Sequence, residues 1–123
     1  MVKVFVVDDM SDVRSAVKIG LTNLNKGYEV FEAKSGDEAV EQLKNVQPDV
    51  ILMDVMMPGM DGLDTTMMIK NDPNYKHIPI IILTAKTDKL TKGMSEVAAD
   101  AFLEKPFTIE TLDDAIQKAL QQR

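Results

Sequence analysis

The segment VFVVDD, residues 4–9, places four consecutive apolar side chains directly before two adjacent aspartates. A run without a polar face is typical of a parallel strand that is buried between two layers of helices. Similar runs occupy residues 50–53 and 80–83, and weaker ones occupy residues 28–33 and 101–103. The pattern predicts five strands, three of them apolar on both faces.

The segments between these runs carry apolar residues at helical spacing. The spacing i, i+3, i+4, i+7 is clearest over residues 13–24 and 112–120, and further helices are predicted over residues 63–70 and 90–98. Ser35 and Glu38 form a predicted capping box for the second helix, and Thr108 is the predicted N-cap of the last one. Gly27 stands where the first helix would end.

The alternation of strands and helices predicts an α/β fold. Right-handed crossovers leave few arrangements, and the common five-stranded one is a doubly wound parallel sheet of order 2-1-3-4-5, the flavodoxin-like (βα)5 three-layer sandwich. The chain has 123 residues and shows no repeat or linker. We therefore expect residues 1–123 to form a single domain.

Composition excludes several classes of function. The chain has no cysteine and a single histidine, so thiolate zinc sites, iron-sulfur clusters and cysteine nucleophiles are excluded. Its net charge of -6 disfavours direct binding of nucleic acid. The first apolar run is too short for a signal peptide or a membrane span, so we expect no membrane contact and a cytoplasmic location.

Methionines are concentrated around the third predicted strand and helix. Six of the nine lie between Met53 and Met68. Methionine fills irregular gaps well and also occurs on adaptable binding surfaces. We expect these side chains to fill the core.

Carboxylates follow two of the predicted strands. Asp8 and Asp9 end the first strand and Asp54 ends the third, and the carboxyl ends of parallel strands meet at one edge of the sheet. Three neighbouring carboxylates repel one another unless a cation joins them. Oxygen ligands without imidazole or thiolate favour a hard cation, and Mg²⁺ is the common choice.

Three polar residues at the strand ends suit phosphoryl transfer. An Asp carboxylate is a competent nucleophile for this reaction, and Asp54 is the candidate because it stands alone at its strand end. Lys105 could place an ammonium on a phosphoryl oxygen, and the Thr84 hydroxyl could donate to another. A lone Thr at a strand end is usually structural and a lone Lys is usually a solvated surface charge, so the interpretation depends on the combination.

The sequence resembles the CheY-like receiver domain of two-component response regulators. The resemblance spans almost the whole chain and lies in four motifs in order: VFVVDD at residues 4–9, MDVMMPGMDG at 53–62, LTAK at 83–86 and FLEKPF at 102–107. It implies that Asp54 accepts a phosphoryl group from a histidine kinase and that Asp8 and Asp9 hold Mg²⁺. The main-chain carbonyl of Met56 would be a further metal ligand.

The resemblance also implies a switch and partners. Thr84 and Phe102 occupy the positions of the switch hydroxyl and the switch aromatic ring, and the Lys105–Pro106 peptide bond is expected to be cis. The implied partners are a sensor histidine kinase or phosphotransfer protein and a downstream effector protein or effector domain, and a phosphorylation-dependent dimer is a further possibility. The chain could be a stand-alone receiver or the first domain of a longer regulator. Its chemistry would be limited to its own phosphorylation and dephosphorylation, so it would not be a conventional enzyme.

Two other functions use a related fold. A Mg²⁺-dependent phosphatase of the haloacid dehalogenase type also has an Asp nucleophile, but its Asp-x-Asp-x-Thr motif is absent after the first strand. A flavodoxin-like electron carrier binds flavin phosphate, which an acidic crevice would repel. Both remain alternatives to the receiver interpretation.

Overall fold

The computed structural model describes residues 1–85 and 99–122. These residues contain five strands and four helices. The strands are β1 (Val2–Val7), β2 (Tyr28–Ala33), β3 (Val50–Asp54), β4 (Ile80–Ala85) and β5 (Ala101–Lys105). The helices are α1 (Ser11–Asn23), α2 (Gly36–Gln42), α3 (Gly62–Lys70) and α4 (Ile109–Gln121). The helix predicted over residues 90–98 lies outside the described residues.

The five strands form one parallel sheet of order β2-β1-β3-β4-β5. The predicted order and fold class are therefore confirmed. The chain passes from β2 on one side of β1 to β3 on the other, so the order reverses between β1 and β3. This reversal opens a crevice at the carboxyl ends of these two strands.

Helices cover both faces of the sheet, and each face has its own core. One core contains Phe5, Ile51 and Ile82 with the buried residues of α2 and α3. The other contains Val6 and Leu52 with the buried residues of α1 and α4. Successive residues of β1, β3 and β4 point into opposite cores, which is why these strands are apolar throughout.

Several strands extend beyond their apolar runs. β1 begins two residues earlier than predicted, at Val2, because its ladder with β2 already starts there. β3 includes Asp54, and β5 continues through Glu104 to Lys105. The two predicted site residues Asp54 and Lys105 are therefore held by strand geometry, where the sequence pattern had placed them just after a strand.

The helix ends agree in part with their predicted caps. The side chains of Ser35 and Thr108 accept the N–H groups of Glu38 and Thr111, as N-caps do. The predicted capping box at Ser35 is only half formed, because the Glu38 carboxylate accepts from the N–H of Lys34. The first helix is followed by the left-handed residue Asn25, whose φ is 55°.

Gly27 was predicted at the end of the first helix and instead begins the approach to β2. Its φ of 81° is in the left-handed region. Its carbonyl accepts the N–H of Val2 at 2.9 Å, so it lies beside the start of β1. Asn25 takes the helix-terminating conformation because Asn tolerates it better than most residues with a side chain.

The prediction that the six methionines between Met53 and Met68 fill the core was wrong for three of them. Met53 and Met57 are buried, but Met56, Met67 and Met68 are at least half exposed. The reason is the spacing on α3: its buried face is formed by residues 62, 63, 65, 66 and 69, and the two helical methionines lie on the opposite face. No helix in residues 1–85 and 99–122 has the length and apolarity that a membrane span requires.

An acidic site at the carboxyl edge of the sheet

The site is built from the carboxyl ends of three strands. Asp8 and Asp9 directly follow β1, Asp54 is the last residue of β3, and Lys105 is the last residue of β5. β1 and β3 are neighbours, whereas β4 separates β3 from β5. Parallel pairing brings all these ends to one edge, and the long lysine side chain spans the width of β4.

Asp8, Asp9 and Asp54 form an acid cluster. Each offers a carboxylate oxygen, and these three oxygens all lie within 4.8 Å of one another. Asp8 is fully buried, Asp54 is 7% exposed, and Asp9 is exposed. The structure therefore brings together the three acidic residues that were predicted to hold a metal.

Lys105 bridges two members of the acid cluster. Its Nζ lies 2.9 Å from Oδ1 of Asp54 and 3.1 Å from Oδ2 of Asp8. Burial of two carboxylates would be strongly unfavourable without such a cation. The ammonium compensates part of this charge, and among the described residues the three carboxylates and this one ammonium leave a net negative charge.

The pKa values in the cluster reflect this imbalance. Burial raises the pKa of Asp54, and the charges of Asp8 and Asp9 raise it further, while the hydrogen bond and charge of Lys105 oppose the shift. Burial by itself lowers the pKa of Lys105, but its hydrogen bonds and charge interactions with Asp54 and Asp8 outweigh burial and raise the pKa. Lys105 thus stays charged, and the site favours a further cation.

Asp8 is held at every polar group. Its N–H donates to the carbonyl of Ala33 at 3.1 Å. Its Oδ1 accepts the N–H of Met10 at 2.9 Å, and its main-chain carbonyl accepts Nη1 of Arg14 at 2.7 Å. Sequence reasoning missed Arg14, and the only available signal was a charged residue, Glu32, within the second strand, to which Arg14 also binds.

Gly62 shapes the loop that follows Asp54. A Cβ atom at this residue would lie 1.9 Å from the carbonyl oxygen of Asp54, which is backbone and cannot move away as a flexible side chain could. The N–H of Gly62 donates to the carbonyl of Val55 at 2.9 Å and closes the loop. At the next turn, the Asp61 side chain caps α3 by accepting the N–H of Asp64.

The remaining predicted site residues lie around the cluster. Thr84 is 9% exposed and stands one residue beyond Leu83, the β4 partner of Asp54 in the ladder. Among the described residues, the Asp54 carboxylate is bound by Lys105 and not by Thr84. Met56 and Phe102 are 63% and 46% exposed. The Lys105–Pro106 peptide bond is cis, as expected.

Known proteins are similar to this chain in sequence and in fold. The family model of the response regulator receiver domain matches residues 4–117. Protein PilG of Pseudomonas aeruginosa is 34% identical over 116 residues, which cover 94% of this chain and 84% of PilG.

Solved structures agree. Chemotaxis protein CheY4 of Vibrio cholerae has a TM-score of 0.88 at 37% identity, covering 98% of this chain and 99% of CheY4. The signal receiver domain of a signal transduction histidine kinase from Syntrophus aciditrophicus has a TM-score of 0.91 at 30% identity, covering 99% of this chain and 92% of that domain. From the family match over most of its length, together with these relatives, the chain belongs to the response regulator receiver domain family.

Proposed function

We propose that this single receiver domain accepts a phosphoryl group on Asp54 from a phosphohistidine, in a Mg²⁺-dependent reaction, and that phosphorylation changes its affinity for a downstream partner. The observation that carries the proposal is the acid cluster with Lys105 bound to both Asp54 and Asp8. Family membership favours this function over the phosphatase and flavin-carrier alternatives.

The donor set of the cluster fits Mg²⁺. Three carboxylates lie close together, and within residues 1–85 and 99–122 Lys105 is the lysine that pairs with two of them. Asp8, Asp9 and Asp54 would hold the ion, with the main-chain carbonyl of Met56 as a further ligand. Oxygen ligands of this kind suit a small hard cation that keeps several waters. When bound, Mg²⁺ would offset negative charge on the transferring phosphoryl group.

Asp54 is the proposed nucleophile. Lys105 binds Oδ1, so Oδ2 is the oxygen that would attack phosphorus. A P–O bond to Asp54 forms as the P–N bond of phosphohistidine breaks, and the imidazole nitrogen keeps the bonding electron pair and takes up a proton. Lys105, already beside the carboxylate, would bind one of the phosphoryl oxygens and balance its charge.

The phosphoryl group would be lost by hydrolysis. A water oxygen attacks phosphorus, the P–O bond to Asp54 breaks, and inorganic phosphate leaves with the carboxylate regenerated. The protein would thus act on its own modification and would not turn over a separate substrate.

The proposed switch residues are Thr84 and Phe102. Thr84 lies near the carboxyl end of β4, one residue beyond Leu83, the ladder partner of Asp54. A phosphoryl group on Asp54 would therefore extend toward Thr84. Phe102 faces outward from β5 and is half exposed. Because Phe has no hydroxyl, a partner would recognise it through shape and apolar contact.

A groove beside the site supports a protein as phosphodonor. It has a volume of about 560 Å³ and lies between α1 and the segment after β5, lined mainly by apolar residues such as Val13 and Ile109. Lys105 borders both the groove and the acid cluster. A histidine kinase or phosphotransfer protein seated there would present its phosphohistidine beside Asp54.

A cytoplasmic location and the absence of nucleic-acid binding stay predictions.

Intact mass spectrometry tests the proposal. The protein is incubated with acetyl phosphate, with and without Mg²⁺, as wild type, Asp54→Asn and the control Asp114→Asn, whose carboxylate is exposed on α4. We expect a gain of one phosphoryl group that needs Mg²⁺, persists in Asp114→Asn and is lost in Asp54→Asn. A gain that survives Asp54→Asn would refute the acceptor assignment, and no gain in any sample would refute the proposed chemistry.

A further inference from the structure

The Arg14 side chain connects the acid cluster to the second strand. Its Nη1 donates to the main-chain carbonyl of Asp8 at 2.7 Å, and its Nε donates to Oε1 of Glu32 at 3.1 Å. The side chain is only 16% exposed, although it lies on the first turns of α1. Glu32 lies in β2 opposite Val6 of β1. Arg14 therefore connects β2 to the corner between β1 and α1.

This contact completes the set of bonds that orient Asp8. The ladder with β2 holds the N–H group of Asp8, Met10 holds Oδ1, and Lys105 holds Oδ2. The carbonyl is the remaining polar group, and its donor is Arg14. Without Arg14, the peptide that joins Asp8 to Asp9 would lose the bond that sets its orientation. The exposed Asp9 carboxylate depends directly on that peptide for its position.

We propose that Arg14 is a positioning residue of the phospho-acceptor site. Held by Glu32, its guanidinium fixes the corner between β1 and α1, so that Asp8 and Asp9 keep the geometry needed for Mg²⁺ binding and for phosphoryl transfer to Asp54. This inference rests on the proposed function. The fork shape of the guanidinium suits the role because it binds a carbonyl and a carboxylate at once.

An electrostatic role and a positioning role for Arg14 predict opposite changes in Mg²⁺ affinity when Arg14 is replaced. A cation near an acidic site repels Mg²⁺, so removal of the Arg14 charge would by itself strengthen metal binding. Loss of positioning would weaken metal binding, because outer partners that orient metal ligands typically contribute about 10-fold to 100-fold in affinity. The direction of the change therefore separates the two effects.

The chain offers a matched control in Lys18. It is also on α1 and also lies near Glu32, with 3.8 Å between Nζ and Oε2. Its side chain is 54% exposed, and the described hydrogen bonds of Asp8 do not include it. Lys18→Met thus removes the same charge from the same helix and leaves the corner intact.

The experiment measures Mg²⁺ affinity and phosphorylation rate in Arg14→Met, Arg14→Lys and Lys18→Met. Affinity comes from a Mg²⁺ titration of ¹⁵N-labelled, metal-free protein followed by NMR, and the rate from intact mass with acetyl phosphate. We expect Arg14→Met to weaken Mg²⁺ binding about 10-fold and to slow phosphorylation at limiting Mg²⁺ by a similar factor. Arg14→Lys should recover part of the loss, and Lys18→Met should bind as wild type or slightly tighter.

The outcomes are distinguishable. Arg14→Met that binds Mg²⁺ as tightly as wild type or tighter would overturn the positioning role while leaving the proposed function standing. A wild type that neither binds Mg²⁺ nor gains a phosphoryl group would overturn both. If Arg14→Met does not fold, Glu32→Gln replaces it, because it removes the charge that holds Arg14; an unchanged affinity in that variant would likewise overturn the role.

Discussion

The ammonium nitrogen of Lys105 lies 2.9 Å from Oδ1 of Asp54 and so connects the last residue of β5 to the last residue of β3. The same nitrogen lies 3.1 Å from Oδ2 of Asp8. One cation thus faces two buried carboxylates, and a third carboxylate stands beside them. Within the described part of the chain, negative charge at the site therefore exceeds positive charge, and the following predictions for the site start from this excess.

Replacement of Lys105 should make the protein depend on Mg²⁺ for stability. We expect Lys105→Met to lower the metal-free stability by about 2 kcal/mol, because charge-assisted hydrogen bonds to two buried carboxylates are lost. Saturating Mg²⁺ should then raise the melting temperature of the variant more than that of wild type. Thermal unfolding with and without Mg²⁺ measures both. Lys118→Met, which removes an exposed lysine on α4, is the control; an equal Mg²⁺ response in all three proteins would contradict the prediction.

Neutralisation of Asp9 should separate metal binding from stability. Asp9→Asn removes a proposed ligand, so Mg²⁺ affinity should fall by about 10-fold or more. Without metal, the variant should be more stable than wild type by up to about 1 kcal/mol, because repulsion within the acid cluster is relieved. Calorimetric Mg²⁺ titration and metal-free melting check the two effects. Asp12→Asn, an exposed aspartate in the first turn of α1, should not lose affinity to this extent; equal losses would remove Asp9 from the ligand set.

Two glycines in the loop after β3 should respond differently to alanine. Gly62→Ala places a Cβ 1.9 Å from the Asp54 carbonyl oxygen, so the backbone at Asp54, the proposed acceptor, must shift. We expect a loss of about 1–3 kcal/mol and slower phosphorylation. Gly59 has a φ of 76° and open space around its missing Cβ, so Gly59→Ala should cost only about 1 kcal/mol of backbone strain. Urea unfolding compares them, and a smaller loss at Gly62 than at Gly59 would count against the close approach.

A polar network far from the acid cluster connects α4 to β2. Asp113 accepts the hydroxyl of Tyr28 and lies 2.5 Å from Nζ of Lys26. Gln117 donates to the Tyr28 oxygen at 2.8 Å. Burial, together with Asp113, raises the pKa of Tyr28 to about 12. Burial alone would raise the pKa of Asp113, but its hydrogen bonds from Lys26 and Tyr28 outweigh it and lower that pKa.

The lowered pKa of Asp113 gives its contribution a definite pH dependence. The stabilisation is fully present above the pKa of the unfolded state, near 3.8, and is lost as pH falls through the lower folded-state pKa. Asp113→Asn should therefore cost about 1–3 kcal/mol at pH 7, with the difference from wild type shrinking below pH ~4. Urea unfolding between about pH 3 and about pH 7 measures how this stability difference changes with pH. The exposed neighbour Asp114, paired with Lys118, is the control, and an equal loss in Asp114→Asn would contradict the prediction.

Adjacent threonines on α3 should have opposite effects when changed to valine. Thr65 and Thr66 are both fully buried. Thr65 Oγ1 donates to the carbonyl of Asp61 at 2.7 Å, whereas Thr66 Oγ1 has no hydrogen-bond partner among the described residues. Thr66→Val should stabilise the protein by about 1 kcal/mol, because a buried unpaired hydroxyl is replaced by a methyl group, and Thr65→Val should destabilise it by a similar amount. Thermal melting decides, and destabilisation by Thr66→Val would be the contrary result.

Local patterns in the sequence were sufficient for the fold. Continuous apolar runs at residues 50–53 and 80–83 identified buried strands because only a strand covered on both faces needs no polar side. The same alternation placed Asp8 and Asp54 at one edge of the sheet. Thr108 was recognised as a helix start because its hydroxyl oxygen accepts the N–H of Thr111, three residues further along the same helix.

Other features needed the folded chain. The methionines of α3 were expected in the core, and only the rotation of the helix against the sheet decided that Met67 and Met68 face outward. The close approach of Gly62 to the Asp54 carbonyl depends on how the loop closes after β3.

The sequence by itself determined the order of the strands and helices, the buried strands, and the three aspartates and one lysine at the strand ends. Each of these follows from side chains within a few positions of one another. The tertiary structure alone decided which charges meet: Lys105 binds Asp54 across 51 positions, and Arg14 binds Glu32 across 18. Such contacts depend on strand register and helix rotation, which are set by packing of the whole core rather than by local periodicity.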